Sequence, residues 1–306
     1  MFLAGLTLFL VTVGASVTST GSGLAVPDWP LSYGTLFPPM EGGIIFEHGH
    51  RMIAGVVLIL TAILTIWLFR RDERAWVRNL ALTGMIALVL QAVLGGLTVL
   101  FLLPAPISVS HAGLAMAFFC LTVSIALFTS PGWRTDRVEA SGADFVRRCS
   151  LVTTVIIYVQ ILFGAVMRHT GAGLAIPDFP LIYGKLYPTV FTAPIMIHYA
   201  HRLGAAVVTV CVAWLVVRIV RDLRGEKMFT RPALLLAGML VVQLVLGAMT
   251  IWMRRAVVPT TAHVALGAAV LAVSLVITLR ARRFLPVPVA RRTAMENPVP
   301  LASTGL

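Results

Sequence analysis

The chain has 306 residues, of which 58% are hydrophobic and 12% charged, with a formal net charge of +12. A soluble protein of this length would form about two domains. The composition excludes that reading, because apolar runs recur that match the roughly 20 residues a helix needs to cross the hydrocarbon core. The basic charge does not point to nucleic acid once its placement along the chain is followed.

Eight membrane spans are predicted in chain order, at 2–19, 46–69, 79–102, 108–129, 149–168, 195–217, 232–253 and 259–279. Span 1 opens the chain with no basic region before it. Val13-Gly14-Ala15 offers a signal-peptide reading, but span 5 occupies the matching place later in the chain and is not removable. The outer segment that follows, 20–45, contains Gly21-Ser22-Gly23-Leu24-Ala25-Val26-Pro27-Asp28-Trp29-Pro30-Leu31-Ser32-Tyr33-Gly34 and no Lys or Arg. Its glycines and prolines predict a structured loop, with Trp29 and Tyr33 as interfacial anchors. Asp28 reads either as the cap of a short turn or as a polar contact at the mouth of a ligand site.

The same stretch returns 150 positions later as Gly171-Ala172-Gly173-Leu174-Ala175-Ile176-Pro177-Asp178-Phe179-Pro180-Leu181-Ile182-Tyr183-Gly184. Glu47-His48-Gly49-His50-Arg51 is echoed by His198-Tyr199-Ala200-His201-Arg202, and Gln91-Ala92-Val93-Leu94-Gly95 by Gln243-Leu244-Val245-Leu246-Gly247. Nearly constant offsets imply a duplicated unit. Four spans fall in each half, and an even number returns the chain to its starting side, so the repeat is parallel about an axis along the membrane normal. The predicted fold is an all-α integral membrane protein of two tandem, pseudo-symmetric four-helix bundles. Residues 1–130 form the first bundle, 131–148 a connector, 149–283 the second bundle and 284–306 a disordered tail.

Eighteen of the 24 basic residues lie between spans 2 and 3, 4 and 5, 6 and 7, or after span 8. By the positive-inside bias both termini are cytoplasmic, and the favoured address is a bacterial inner membrane. The three cysteines, Cys120, Cys149 and Cys211, provide no outside pair and read as packing residues.

Span 2 carries Glu47 and His50 three residues apart, on one helix face, while His48 points elsewhere. Span 4 opens with His111, span 6 carries His198 and His201, and span 8 opens with His263. Histidines within membrane spans face the bundle interior and are functional by default. Two at matched depth on alternate helices of one bundle is the pattern of axial haem ligation; polar glue between helices is the plainer alternative. The metal-ligating candidates are therefore His50, His111, His201 and His263, to haem iron. His169 reads as a loop surface residue. Arg51 and Arg202, beside the ligand candidates, either pair with haem propionates or reach to lipid headgroups.

These residues together resemble the haem A synthase family. The resemblance rests on the Thr20-Gly21-Ser22-Gly23-Leu24 and Pro27-Asp28-Trp29-Pro30 loop, Glu47-x-x-His50-Arg51, His111, His201-Arg202 and His263, and it covers spans 1 through 8. It implies oxidation of the C8 methyl of haem O to a formyl group, giving haem A. It further implies a haem b cofactor in the second bundle at His201 and His263, substrate haem O in the first at His50 and His111, and Glu47 as the carboxylate essential to the chemistry. Glu47 aligns with His198, so only the first repeat places a carboxylate one turn from its ligand candidate. It acts as proton acceptor or charge stabiliser, or as a buried hydrogen-bonding partner.

A haem O synthase and an electron donor are candidate partners, alongside the lipid bilayer and other copies of the chain; nucleic acid is not expected. Two features depart from the family: no outer cysteine pair exists, and Thr18-Ser19 stands where the second repeat has Arg168-His169. The short N-terminus also fits a start placed slightly late. Two other classes accommodate the same residues. A di-haem b-type electron carrier has no need of Glu47, and a transporter or proton relay would hold no tight haem.

Overall fold

In a computed structural model the chain is described over residues 1–134 and 143–285. Eight long helices occupy almost all of it: α1 (Phe2–Ser19), α2 (Gly43–Arg71), α3 (Ala75–Leu100), α4 (Ala105–Phe128), α5 (Ala143–His169), α6 (Ala193–Asp222), α7 (Lys227–Trp252) and α8 (Val257–Phe284). No strand occurs among the described residues; only two isolated bridges do, Ser32 with Thr35 and Ile182 with Lys185. All eight helices are long and apolar enough to cross a membrane. The chain is a multi-pass membrane protein.

Within lipid a helix must satisfy its own polar groups, and the hydroxyls here do so locally. Thr7 donates to the Leu3 carbonyl at 2.8 Å, Thr12 to Leu8 at 2.9 Å and Thr61 to Val57 at 2.7 Å. Outward positions are apolar as well, as Ile59, Trp67, Val210 and Val241 show by their exposure. These helices are apolar all round, as membrane spans are.

Most helices outrun the predicted spans. Hydropathy falls at the first charges, whereas the helix continues where i,i+4 pairs hold its last turns. Asp144 with Arg148 at 2.8 Å extends α5 upstream, and Arg218 with Asp222 at 2.7 Å extends α6 downstream. The connector predicted at 131–148 therefore gives up 143–148 to α5, and a short 3-10 turn takes Pro131–Arg134. The predicted tail loses its first residues too. Phe284 ends α8, and both it and Leu285 are buried, the Leu285 carbonyl accepting from Arg147 at 2.8 Å. The rest of the predicted tail, 286–306, lies outside the described residues. At α3 the helix stops earlier than predicted, because Leu102 and Leu103 take positive φ values of 59° and 61°.

In the first repeat α1 packs on α2, α2 on α3, α3 on α4 and α4 back on α1; α5 to α8 repeat that circuit. Contacts of α1 with α8, α4 with α5 and α4 with α8 join the two. The largest core cluster joins Met116 and Phe119 of α4 to Ile157, Leu215, Leu236 and Leu271 of the second repeat. Cys120 and Cys149 pack against it. A hydroxyl ladder, Thr154 to Ser274 at 2.7 Å and to Thr278 at 2.8 Å, crosses from α5 to α8 inside that half.

The two outer loops are built alike. Val26 and Ile176 are fully buried anchors, and Trp29-Pro30 and Phe179-Pro180 are both cis. Trp29 lies on α3, where a Cβ at Gly96 would come within 2.5 Å of its ring. The second repeat has the smaller Phe179 in the loop and Ala248 at the position equivalent to Gly96. A larger ring goes with the missing methyl, and a smaller ring with its presence.

Candidate functional site

Each of the four ligand candidates rests on a glycine of the preceding helix. A Cβ on Gly14 would meet His50 Cε1 at 2.9 Å, one on Gly95 would meet His111 Cε1 at 3.1 Å, one on Gly164 His201 Cε1 at 3.1 Å, and one on Gly247 His263 Cε1 at 3.2 Å. The same ring atom faces the same kind of gap four times. Only a residue without a side chain lets the imidazole come this close. His50 lies within electrostatic reach of His111, and His201 within reach of His263.

One turn before each of three of these glycines stands a glutamine. Gln91, Gln160 and Gln243 donate through Nε2 to the main-chain carbonyls of His111, His201 and His263 at 2.9, 2.8 and 3.0 Å. His111 Nδ1 is 3.1 Å from the Gln91 carbonyl and His263 Nδ1 is 3.1 Å from that of Gln243. A partner on Nδ1 fixes the ring and leaves Nε2 as the metal-binding atom. Two donors per site suit a planar macrocycle that brings four of its own. Among the described residues no group of three His, Cys, Asp or Glu could hold a bare ion. Haem therefore fits these sites. The glycines and glutamines escaped the sequence reading, although Gln91…Gly95 and Gln243…Gly247 were visible there as a repeat. Gln160…Gly164 completes the Gln-x-x-x-Gly signal that could have found them.

Glu47 is buried at 4% exposure. Its Oε2 accepts from the Val26 N–H at 2.9 Å and its Oε1 pairs with Arg51 at 2.7 Å. His198, its counterpart, accepts at Nδ1 from the Ile176 N–H at 3.3 Å. Divergence at this position kept the link to the loop and changed its charge. His48, also buried, shares a hydrogen bond through Nδ1 with Ser32 at 2.8 Å, in the same outer loop that holds Glu47.

In the structure both arginines are gathered by the outer loops. Arg51 donates to the Asp28 and Leu31 carbonyls at 2.8 Å as well as to Glu47. Arg202 donates to the Leu181, Ile176 and Asp178 carbonyls at 2.8, 3.2 and 2.6 Å and stacks 5.6 Å from the Phe179 ring centroid. A planar fork of donors is suited to gathering convergent carbonyls, so neither side chain reaches out to headgroups. Arg202 has no carboxylate at the Glu47 position, and its Nε is buried without a hydrogen-bond partner among the described residues.

Asp28 and Asp178 cap turns. Asp28 accepts from the Tyr33 and Gly34 N–H groups at 2.7 and 2.8 Å, and Asp178 accepts likewise from Tyr183 and Gly184 at 2.8 Å. Tyr33 and Tyr183 hold positive φ values of 53° and 51°, uncommon for a side chain of this size. The Gly34 N–H, with that of Tyr33, holds the Asp28 carboxyl below its ordinary value of 3.8. A depressed folded value contributes stability above pH 3.8 that is lost as pH falls through the folded value. As pH falls below 3.8 and through that lowered value the Tyr33 and Gly34 amides are expected to lose protection against deuterium exchange, while those within α3 do not. Unchanged protection of the turn at that pH would refute the cap.

His169 is not a loop residue. It ends α5, half-buried, within electrostatic reach of Arg168 and His111. Arg168 accounts for the missing basic residue at Thr18-Ser19: it crosses to the first repeat and donates to the Ala15 carbonyl and the Ser19 hydroxyl at 2.7 and 2.8 Å. Thr261 joins from α8, 3.0 Å from the same hydroxyl. One arginine serves both repeats.

Fold and site together define a multi-pass helical membrane protein with a duplicated pair of glycine-seated histidines and a buried carboxylate in one copy only. The chain belongs to the cytochrome oxidase assembly protein family (COX15-CtaA), which it matches over residues 43–275. Among curated proteins it is similar to Heme A synthase of Geobacillus kaustophilus, 29% identical over 94% of this chain and 93% of that one. Proteins of the same name from Shouchella clausii and Symbiobacterium thermophilum are 31% and 32% identical. They cover 72% and 67% of this chain and 74% and 69% of their own lengths.

Proposed function

We propose that the chain works as a haem A synthase, an oxidoreductase that converts the C8 methyl of haem O to a formyl group. The observation that carries this reading, beside the family membership, is the asymmetry at one position: Glu47 in the first repeat, His198 in the second. We infer two tandem four-helix bundles with both termini cytoplasmic, in a bacterial inner membrane, the first over 1–130 and the second over 143–285. His201 and His263 hold haem b in the second bundle. His50 and His111 hold haem O in the first, with Glu47 beside them.

Bound haem b would supply one-electron redox chemistry; the rest falls to the chain. The glycines and glutamines orient the imidazoles, and the Nδ1 contacts of His111 and His263 keep Nε2 free for iron. Glu47, with both oxygens already accepting hydrogen bonds, is a preorganised negative charge for positive charge developing at the methyl carbon. Arg51 ties Glu47 to the loop, so the loop closes the site against water and holds the carboxylate in place. At the second site Arg202 stands without such a carboxylate. That leaves more positive charge near a cofactor whose propionates are anionic, which suits retention there and release of product from the first site. A haem O synthase and an electron donor are partners in this reading.

The test is chromatography of the haems extracted from cells that supply haem O, with pyridine-haemochrome spectra of the purified protein. Haem A is expected with the native chain, and its loss with Glu47→Ala and with His263→Ala. A folded, haem-loaded protein that leaves haem O unaltered under reductant and oxygen would instead make it an electron carrier.

A further inference from the structure

The four histidine seats are not equivalent, and the difference falls on one residue. At three of them a glutamine one turn before the glycine grips the histidine's main chain (Gln91 for His111, Gln160 for His201, Gln243 for His263). At the fourth, the residue one turn before Gly14 is Leu10. Leu10 packs with Leu3 and Leu6 against Val57, Leu88 and Phe118 and has no side-chain donor to offer. The imidazoles differ in the same way. Nδ1 of His111, His201 and His263 each has a partner at 3.1 Å, in the last case and the first a backbone carbonyl, in the second the Gln160 amide. His50 Nδ1 is buried beside the Leu10 main chain, the counterpart of the Gln91 and Gln243 carbonyls, but makes no hydrogen bond of ordinary geometry.

The platform under His50 is also the weakest. α1 buries only Thr7, Ala15 and Val17, whereas α3 and α7, which seat His111 and His263, each bury six or more residues. An imidazole whose Nδ1–H donates to a carbonyl, as at His111 and His263, is oriented and made more basic, and at His201 the Gln160 amide holds the ring. Loss of such a partner commonly weakens metal binding by about 10- to 100-fold.

We propose that His50 is the labile ligand: the first site opens to a small ligand on its α2 side, while His111, His201 and His263 stay in place. This rests on the assignment of the two histidine pairs to haem made above. It also aligns two separate departures from the repeat. The histidine that has lost its tether is the one that shares a helix face with Glu47, three residues before it. The repeat that keeps all its tethers has no carboxylate there. The seat is thus loosened at the site where a reaction needs an entry for a small molecule, and kept firm where a haem need only exchange electrons.

Carbon monoxide is the probe. Protein purified from cells supplying haem O is reduced with dithionite, and the carbon monoxide difference spectrum is measured against total haem. The native chain is expected to bind carbon monoxide at one haem population only. Leu10→Gln, which restores the missing amide, is expected to lower the reactive fraction roughly 10-fold with haem content unchanged. Gln160→Leu, the reverse exchange in the second repeat, is expected to make the other haem reactive. Because Gln160→Leu removes a group from an occupied place, it carries the test should Leu10→Gln fail to accumulate. Equal reactivity of both haems in the native chain, or spectra unmoved by the exchanges with haem retained, would overturn the proposal. Failure of the underlying assignment looks different: His50→Ala and His111→Ala would then leave the haem content and the spectrum of the first site as they were.

Discussion

Gly247→Val is expected to strip haem from the second site while leaving the helices intact. A Cβ at this position would stand 3.2 Å from His263 Cε1, tighter than ordinary contact, and 3.6 Å from Nδ1. Valine adds two methyl groups beyond that point, and its stiff χ1 within a helix gives them little room to turn away. The imidazole must swing off its seat, which breaks the 3.1 Å contact of Nδ1 with the Gln243 carbonyl. A fall of about 10- to 100-fold in haem affinity should follow, read as haem per protein by pyridine haemochrome. Gly238→Val is the control, since a Cβ there meets nothing within 4 Å on the same helix. Native haem content in Gly247→Val would mean that His263 does not bind from the seat it occupies.

The second large effect is expected at Glu47, where two substitutions separate charge from scaffolding. Glu47→Gln keeps an oxygen for the Val26 N–H but gives up the ion pair with Arg51. Glu47→His copies the second repeat, whose His198 makes the corresponding bond to Ile176. Both variants should hold the loop and both haems, and both should lose about 10²- to 10³-fold in formation of haem A, the range for removing one preorganised electrostatic group. Should Glu47→His turn over like the native chain, the residue's task is to hold the loop, and its charge is incidental.

The eight helices were legible because apolar runs of membrane-spanning length have few alternative explanations. The histidines were legible because the repeat shows them twice. The ends of the helices were not. Hydropathy reads a charge as a boundary, while Asp144 with Arg148 and Arg218 with Asp222 use charge to prolong the helix past it. Arg51 was read by its neighbour in sequence, His50, although its partners are carbonyls 20 and 23 positions away in the loop. His169 was placed in a loop because no rule in the sequence says that α5 runs on to include it. The seats under the histidines were hidden for another reason: a glycine within an apolar run registers only as an absence, and its meaning appears once the facing ring is known.

Trp29 on Gly96 has a consequence for exchanging parts between the two halves. A first-repeat loop moved alone into the second would carry its indole toward the methyl group of Ala248; the reverse move would leave phenylalanine over a bare glycine and a gap beneath it. Each loop has been refitted to its own helix by trading ring size against a single carbon atom. The halves still share a backbone plan, but their loops are no longer spare parts for one another, and only a transplant that takes residues 29 and 96 together should seat.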